Sequence, residues 1–512
     1  MKKQFPRDPD VLLQLLTQQQ NQNVEQEKHN AEQQALIIKL MAQIEQMQQR
    51  MDKLLHMLYG TKSEKSPKKK SKESDDANKP VLPTNKASAN TPKTKNGRSP
   101  LSADLPRVRQ KHDIPEDKRY CNGCHTKLHG MGKVITEQLS FKPAEFFVTE
   151  HIRYKYACRC CQQVYTAELP PQPIDKGLAD AGVLTEVTLN KYQDALPLYR
   201  QQQRFLRHGI ELPRSTLCDW VSQVALAFEP IVMSMKQDTL IPGKRIFTDD
   251  TTVPVLDKDK KGKAHTGRLW VYVGGGLIKP LCAIYDYTPT RSKSAPKRFL
   301  KGFTGFLQAD AYPGYDELYK TGDIIEIACW AHARRGFADI VKITKKPSLA
   351  NKAIDFIAEL YAVEKTIKHL SPLERKYYRR KHSKTILKRF HSWLIRRKRK
   401  TLPKSPVGKA IRYALNHWRA LCNYLRDGIL EIDNNTSERA IKPLVIGRKN
   451  YLFAGSHEGA KRAAIIYSII ETCKLNGINA WDYMNDVLKR LPTTLNKDIK
   501  TLYPYNWAPK KQ

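Results

Sequence analysis

The sequence predicts a multidomain α+β protein built around a mixed α/β sheet, and three observations predict it. After Pro242 the apolar period changes from helical to alternating: Arg245–Leu256 reads as a strand, Arg268–Val273 as a second beyond the polar turn Asp257–Lys263, and Leu281–Tyr287 as a third. Gly305–Asp310 and Ile324–Cys329 follow with helical stretches around them, and hairpin-linked strands succeeded by strands alternating with helices make a mixed sheet. The chain has 512 residues, 40% of them hydrophobic. At roughly 150 residues per domain that is about three domains, with enough apolar sequence for a full-sized core.

Charge narrows the function. Lys and Arg number 89 against 51 Asp and Glu, a net charge of +38, with a pI near 9.7. This excess speaks against an ordinary metabolic enzyme and for a polyanionic partner, nucleic acid ahead of a membrane surface, because neutralising phosphates releases their counterions. No apolar stretch follows the basic N-terminus and no window approaches 18 uninterrupted apolar residues, so a soluble cytoplasmic protein with no membrane association is expected. Five of the ten cysteines lie between positions 121 and 161, a clustering that fits metal binding better than disulfides.

Residues 1–60 are expected to form a helical coiled-coil leader. Gln14–Gln49 lacks Gly and Pro, and Ile37, Leu40, Ile44, Met47, Met51, Leu54 and Leu58 recur at alternating steps of three and four. That seam favours a dimerising coiled coil over a helix packed on its own domain. Residues 61–112 read as a flexible basic linker: positions 61–100 hold 11 Lys and Arg, four acids and no aromatic residue. Residues 113–172 read as a zinc-binding module. Cys121 with Cys124 and Cys158 with Cys161 form two CxxC pairs separated by 33 residues, and four thiolates close a tetrahedral structural Zn2+ site. Val134–Tyr156 reads as a strand pair joining the two knuckles; Cys160 is surplus, and His125 or His151 are rival ligands. Residues 173–240 turn helical, and the break at Gly209 before Pro213–Trp220 makes a helix-turn-helix candidate, which two core helices joined by a turn explain equally well. Residues 241–346 and 431–512 are expected to form the two parts of one mixed α/β core, with a basic helical insertion at 347–430 and an apolar helix near Gly459–Lys474.

Three acids stand out: Asp249 within the first strand, Asp310 at the end of the fourth, and Glu438 opening a helix after Asp433-Asn434-Asn435. Carboxylates at strand ends and a helix start, distant in sequence, suit a two-metal site. Hard oxygen ligands hold Mg2+ or Mn2+, and paired ions about 4 Å apart activate an attacking oxygen and stabilise a leaving one in phosphodiester transfer. Taken singly, each acid has a simpler explanation. Asp249 and Asp250 fit a solvated strand edge, Asp310 a cap before Pro313-Gly314, and Glu438 the N3 position of a helix cap with Asn435.

Longer strings are more specific. Leu58-Tyr59-Gly60 with Ser63-Glu64-Lys65, the two CxxC pairs, Leu196-Pro197-Leu198-Tyr199-Arg200, Cys329-Trp330-Ala331-His332-Ala333-Arg334-Arg335, Asp433-Asn434-Asn435 with Glu438-Arg439-Ala440, and Gly447-Arg448-Lys449-Asn450 with Phe453-Ala454-Gly455-Ser456 carry a resemblance from about residue 50 to 490. Over that span the chain resembles the large transposase of the bacterial insertion sequence sixty-six family. The resemblance implies a ribonuclease-H-like mixed α/β catalytic core with an Asp-Asp-Glu triad, preceded by a helical leader and a zinc-binding module. By motif the triad is Asp249, Asp310 and Glu438. The family usually shows Asp-Glu-Thr-Pro at the first acid, where this chain has Asp249-Asp250-Thr251-Thr252, so Asp250 stands as the alternative; alternation puts Asp249 on the face of Phe247 and Thr251.

Basic residues near these acids are expected to meet DNA: His332, Arg334 and Arg335 past the fifth strand, and Arg439, Lys442, Arg448 and Lys449 around Glu438. Residues 365–400 carry 15 Lys and Arg against the single acid Glu374, interleaved with Tyr377, Tyr378, Leu387, Phe390, Trp393 and Leu394. Arg379, Arg380, Lys384 and Lys388 are expected to run along duplex phosphates, since like charges this dense repel one another without an anion alongside. The sequence thus reads as a DNA transposase that cleaves the ends of an insertion sequence and joins them to target DNA. It is expected to self-associate and to have companion proteins encoded by the same element. The alternatives are a non-catalytic zinc-containing repressor or architectural protein, and an RNA-cleaving nuclease.

Overall fold

The structure, a computed structural model, describes residues 146–157, 164–175, 177–256, 264–277, 281–343 and 348–508, with separate helical positions between 20 and 51. The chain divides into one unit of Met1–Lys62 with Arg153–Gln512 and a second of Ser63–Ile152. In the second, residues 146–152 are described and have no regular secondary structure.

In the first unit β1 (Lys155–Ala157) pairs antiparallel with β2 (Val164–Thr166). Three helices follow, α1 (Ala181–Tyr192), α2 (Leu198–Arg207) and α3 (Arg214–Met235). The last two are the helix-turn-helix candidate, but α3 is a core helix. It buries Leu217, Trp220, Val221, Val224, Phe228, Ile231 and Met235 and packs against the helix at 457–475.

The central sheet has five strands, β3 (Arg245–Leu256), β4 (Ala264–Gly274), β5 (Cys282–Thr288), β6 (Gly305–Ala309) and β7 (Ile324–Ala328), in the order β5-β4-β3-β6-β7. The first three are antiparallel neighbours, while β6 and β7 add in parallel, giving the mixed sheet that the hairpin-then-crossover pattern predicts. β4 starts four residues earlier than its alternation suggests, because its N-terminal end pairs with the far end of β3, Leu256 opposite Ala264.

Helices around the sheet include α4 (Ser294–Phe299) before β6, α5 (Trp330–Ile343) after β7, then α6 (Leu349–Ile367), α7 (Pro372–Tyr378), α8 (Lys384–Lys400) and α9 (Pro406–Asn416). Of these, α5, α6, α8 and α9 share one apolar core with the end of β7, centred on Trp330, Phe337, Ile357, Phe390, Leu394 and Ile411. Trp330 locks the core further by donating its indole N–H to Leu421 O at 2.9 Å. The chain then returns as α10 (Asn435–Tyr451), α11 (His457–Leu475) and α12 (Ala480–Arg490).

Helix α11 closes an open sheet edge. β5 is an edge strand whose outward amides have no strand to pair with; Ala283 N–H donates to Thr472 Oγ1 (3.1 Å) and Tyr285 N–H to Ser468 Oγ (2.9 Å). Polar residues on the buried side of an apolar helix thus satisfy amides that would otherwise template aggregation. Among the described residues no helix is long and apolar enough to cross a membrane.

Candidate active site

The sheet register brings the first two acids together. β3 and β6 run parallel with Ile246 opposite Leu307 and Phe247 opposite Gln308, and that register continued two residues sets Asp249 level with Asp310, one residue past β6. The chain turns sharply there. Ala311 takes a left-handed φ of 61°, a costly conformation for a residue with a Cβ, and Tyr312 N–H donates to Asp310 Oδ1 at 3.2 Å.

Burial pushes the Asp249 carboxyl up to about 7, and the neighbouring charges of Asp310, Asp250 and Glu438 push in the same direction. The opposing contribution is local: Asp250 N–H donates to Asp249 Oδ1 at 2.8 Å. A buried carboxyl raised this far, with other acids adding to the shift, is a group that a bound cation would relieve.

Asp250 has a different environment. Its side chain is 2% exposed and accepts from Arg268 Nη1 at 2.9 Å and Arg291 Nη2 at 2.7 Å. Arg291 also stands 3.9 Å from Asp310 Oδ2, with its guanidinium over the Tyr312 ring. Asp250 is spent on these arginines, leaving Asp249 as the acid turned toward Asp310.

Glu438 reaches the same place because the strands that carry the aspartates also hold its helix. Asn434, the N-cap of α10, donates its side-chain amide to Thr248 O (2.8 Å) and its backbone N–H to Cys329 Sγ (3.2 Å). Gln308 Nε2 donates to Glu431 O (2.7 Å) and Asp433 O (2.8 Å). Thr248 precedes Asp249 by one residue and Gln308 precedes Asp310 by two. Asp433, not Glu438, takes the Asn435 N–H at the helix start (3.2 Å), so the capping explanation of Glu438 does not hold. Its Oε1 lies 3.8 Å from His332 Nδ1, and both atoms are buried without a hydrogen-bond partner. Cys329, His332 and Glu438 bring ligand atoms within 4.8 Å of one another. Hard oxygen donors, an orphaned carboxylate oxygen and mutual repulsion at Asp249 fit a divalent cation.

A family model described as "Transposase IS66 family" matches residues 176–462 and encloses all three acids. The chain belongs to the IS66 transposase family. Further models match at residues 118–162 (zinc-finger binding domain of transposase IS66), 468–505 (IS66 C-terminal element) and 40–109 (Transposase C of IS166 homeodomain). Two relatives from Sinorhizobium fredii are 33% identical: uncharacterized protein y4jD over 424 residues, 79% of this chain and 81% of its own, and uncharacterized protein y4hP over 430 residues, 80% and 77%. A third, y4qI, is 34% identical over 445 residues, 83% of this chain and 80% of its own. Family membership supports a transposase role with DNA binding and zinc.

In this IS66-family chain one expected DNA contact, Arg379, is corrected, and a second, Arg448, is partly engaged within the protein. Arg379 is fully buried, and all five of its N–H donors are used inside the protein. Nε and Nη2 meet Glu364 at 2.8 and 2.6 Å, Nη1 the carbonyls of Tyr424 (3.2 Å) and Asp427 (3.0 Å), and Nη2 also Leu430 O (2.8 Å). It ties α6 and the π-helical turn Arg379–Ser383 to the 424–430 segment and cannot reach a phosphate. Arg448 is half-buried, with Nη1 donating to Thr251 Oγ1, Thr252 Oγ1 and Thr252 O, so it fastens α10 to β3. Arg334, Arg335, Arg439, Lys442, Lys449, Arg380, Lys384 and Lys388 are exposed, whereas the buried nitrogen of His332 faces Glu438.

Cys121, Cys124, Cys158 and Cys161 lie outside the described residues, as do Cys160 and His125. Described on either side of the second pair are β1 and β2, with Ala157 opposite Val164 in their antiparallel register. Within the expected Val134–Tyr156 segment, residues 146–154 are not strand and 134–145 lie outside the described residues. Arg291, Arg268 and Gln308 escaped the sequence reading, and Asn434 entered it only as part of a motif. Arg291 sits in a polar loop without a motif, but Cys329 and His332 are three apart at a helix start, a spacing that could have been read as a ligand pair.

Proposed function

We propose that the protein is a metal-dependent DNA transposase that hydrolyses the phosphodiester at each end of its element and joins the freed 3′-hydroxyls to target DNA. The convergence of Asp249, Asp310 and Glu438, with the Asp249 carboxyl pushed up to about 7 by burial and by the other acids, carries this reading. The strand order β5-β4-β3-β6-β7, three antiparallel strands extended by two parallel ones, supports a ribonuclease-H-like core for it.

Asp249, Asp310 and Glu438 would hold Mg2+ or Mn2+, which when bound supplies charge to activate the attacking oxygen and stabilise the leaving one. The protein's part is position. Arg291, by neutralising Asp250 and standing beside Asp310, keeps the non-ligating acid out of the centre and limits repulsion between the strands. Exposed Arg334, Arg439, Lys442 and Lys449 on the helices bearing His332 and Glu438 offer phosphate contacts that orient a DNA end. Exposed Arg380, Lys384, Lys388, Lys398 and Arg399 along the α8 region form a second basic face for duplex DNA. The four cysteines would hold a structural Zn2+ and the N-terminal heptads a homo-oligomer, with companion proteins of the element and a cytoplasmic location completing the proposal.

The test is strand transfer in vitro, using duplexes that carry the element's terminal sequences, a supercoiled target and Mg2+ or Mn2+. Cleavage at the terminal phosphodiester and joined products, both dependent on the three acids, are expected. Sequence-specific binding with no cleavage under any divalent ion would overturn the enzymatic reading.

A further inference from the structure

We infer that His332 is a metal ligand, its Nδ1 joining Glu438 Oε1 on one divalent ion of the candidate active site. The inference rests on the proposed metal-dependent reading and adds a nitrogen donor to an otherwise all-carboxylate set.

The two atoms are 3.8 Å apart, and both are buried with no hydrogen-bond partner. Buried polar atoms are almost always partnered, so an adjacent orphaned acceptor and imidazole nitrogen call for a shared third party. The separation is too long for a hydrogen bond. It is short enough for both atoms to reach one ion, since with metal–ligand bonds of about 2.1 Å two ligand atoms can lie up to about 4.2 Å apart. The imidazole is also held in place. His332 lies in the first turn of α5, anchored by buried Trp330, whose indole bonds to Leu421 O, and by buried Ala333. Glu438 stands on α10, which is fixed to β3 through Asn434 and Arg448.

Cys329 is the third member of this cluster. Its Sγ already accepts the Asn434 N–H at 3.2 Å, the bond that orients the N-cap of α10, and sulfur is a poor donor to hard ions. Cys329 therefore positions Asn434, while His332 and Glu438 bind. An imidazole donor favours Mn2+ over Mg2+, since affinity at nitrogen sites rises along the first-row series whereas magnesium prefers oxygen and water.

Electron spin-echo spectroscopy of Mn2+ bound to the full-length, zinc-loaded protein tests this directly. The expected result is modulation from one directly bound histidine nitrogen, altered by 15N-histidine labelling and lost in both His332→Ala and Glu438→Gln. Mn2+ affinity should fall about tenfold in His332→Ala, with a smaller fall for Mg2+ measured by competition. A wild-type spectrum without histidine nitrogen coupling overturns the assignment even where a variant folds poorly. Mn2+ bound in a Glu438-dependent manner without nitrogen coupling, or with coupling that survives His332→Ala, overturns the His332 assignment and leaves the carboxylate site standing. Absence of any Glu438-dependent Mn2+ overturns both.

Discussion

Asp249 in β3 and Asp310 just beyond β6 stand level with each other across a parallel strand pair, and burial, reinforced by the Asp310 charge, lifts the Asp249 carboxyl to about 7. A protein that only needed stability would not set two carboxylates side by side in a poorly solvated site, where each raises the other's free energy. The pair is affordable where something positive is bound between them.

The first prediction separates the two adjacent acids. Asp249→Asn, Asp310→Asn and Glu438→Gln should each lower strand cleavage by at least about a hundredfold while leaving DNA affinity in a gel-shift assay nearly unchanged. Asp250→Asn should act on the fold instead, lowering the melting temperature by freeing Arg268 and Arg291 from their shared partner. Cleavage that survives Asp249→Asn and is lost in Asp250→Asn would transfer the ligand role by one residue.

The second concerns pH. The Asp249 carboxyl is raised from 3.8 to about 7 on folding, so the native state binds this proton more tightly than the unfolded chain does. Its contribution therefore lowers stability progressively as pH rises from about 4 to about 7 and is constant above. In buffer free of catalytic metal, Asp249→Asn should be more stable than wild type, by a margin that grows over that range and reaches at most about 4 kcal/mol. Denaturant melts at pH 5 and pH 8 check it. In wild type, divalent-ion affinity should rise up to about tenfold per pH unit until about 7 and then level off, because ligand binding displaces the proton.

The third distinguishes a structural arginine from the basic face around it. Arg379→Met should destabilise the protein by about 3–5 kcal/mol, since buried Glu364 keeps only the longer 3.9 Å pairing with Arg375 and the carbonyls of Tyr424, Asp427 and Leu430 lose their donor, yet should not alter the salt dependence of DNA binding through a lost phosphate contact. Neutralising Arg380, Lys384 and Lys388 together should do the reverse. Stability should stay within about 0.5 kcal/mol, and the slope of log affinity against log salt should flatten by roughly two to three units, equally for element ends and unrelated DNA. An unchanged slope would mean that this face meets solvent only.

The fourth concerns zinc. Metal analysis should find about one Zn2+ per chain, lost on replacing Cys121, Cys124, Cys158 or Cys161 and retained on replacing Cys160. Zinc retained in Cys158→Ser would move the ligand role to Cys160 or a histidine.

The fifth concerns assembly. Leu40, Ile44, Met47 and Met51 are helical and 48–60% exposed in the single chain. Lysine at both Ile44 and Met51 should therefore dissociate the full-length protein in sedimentation experiments, because it buries charge in the heptad seam. A wild-type chain that sediments as a monomer at high micromolar concentration would end the coiled-coil reading.

The sequence alone determined the elements whose physics is local. β3 carries its alternation from Arg245 to Leu256 because successive side chains face opposite sides of the sheet, and the apolar helix at 457–475 shows its length directly. Glu438 was legible as a helix-opening acid, and its family motif marked it out. Tertiary structure decided which charges work and which hold. Arg379, Arg380, Lys384 and Lys388 look alike in a row of cations, but the turn at Arg379–Ser383 points only Arg379 into a cage of carbonyls around Glu364. Asp249 and Asp250 are neighbours of one kind; pairing with β4 and the approach of Arg291 assign Asp250 to ion pairs and leave Asp249 to Asp310. His332 read as a DNA contact until the return of α10 put Glu438 beside its buried nitrogen. Periodicity records which way a side chain points from its own backbone, whereas its partner comes from a segment a hundred residues away, and only the packed chain brings the two together.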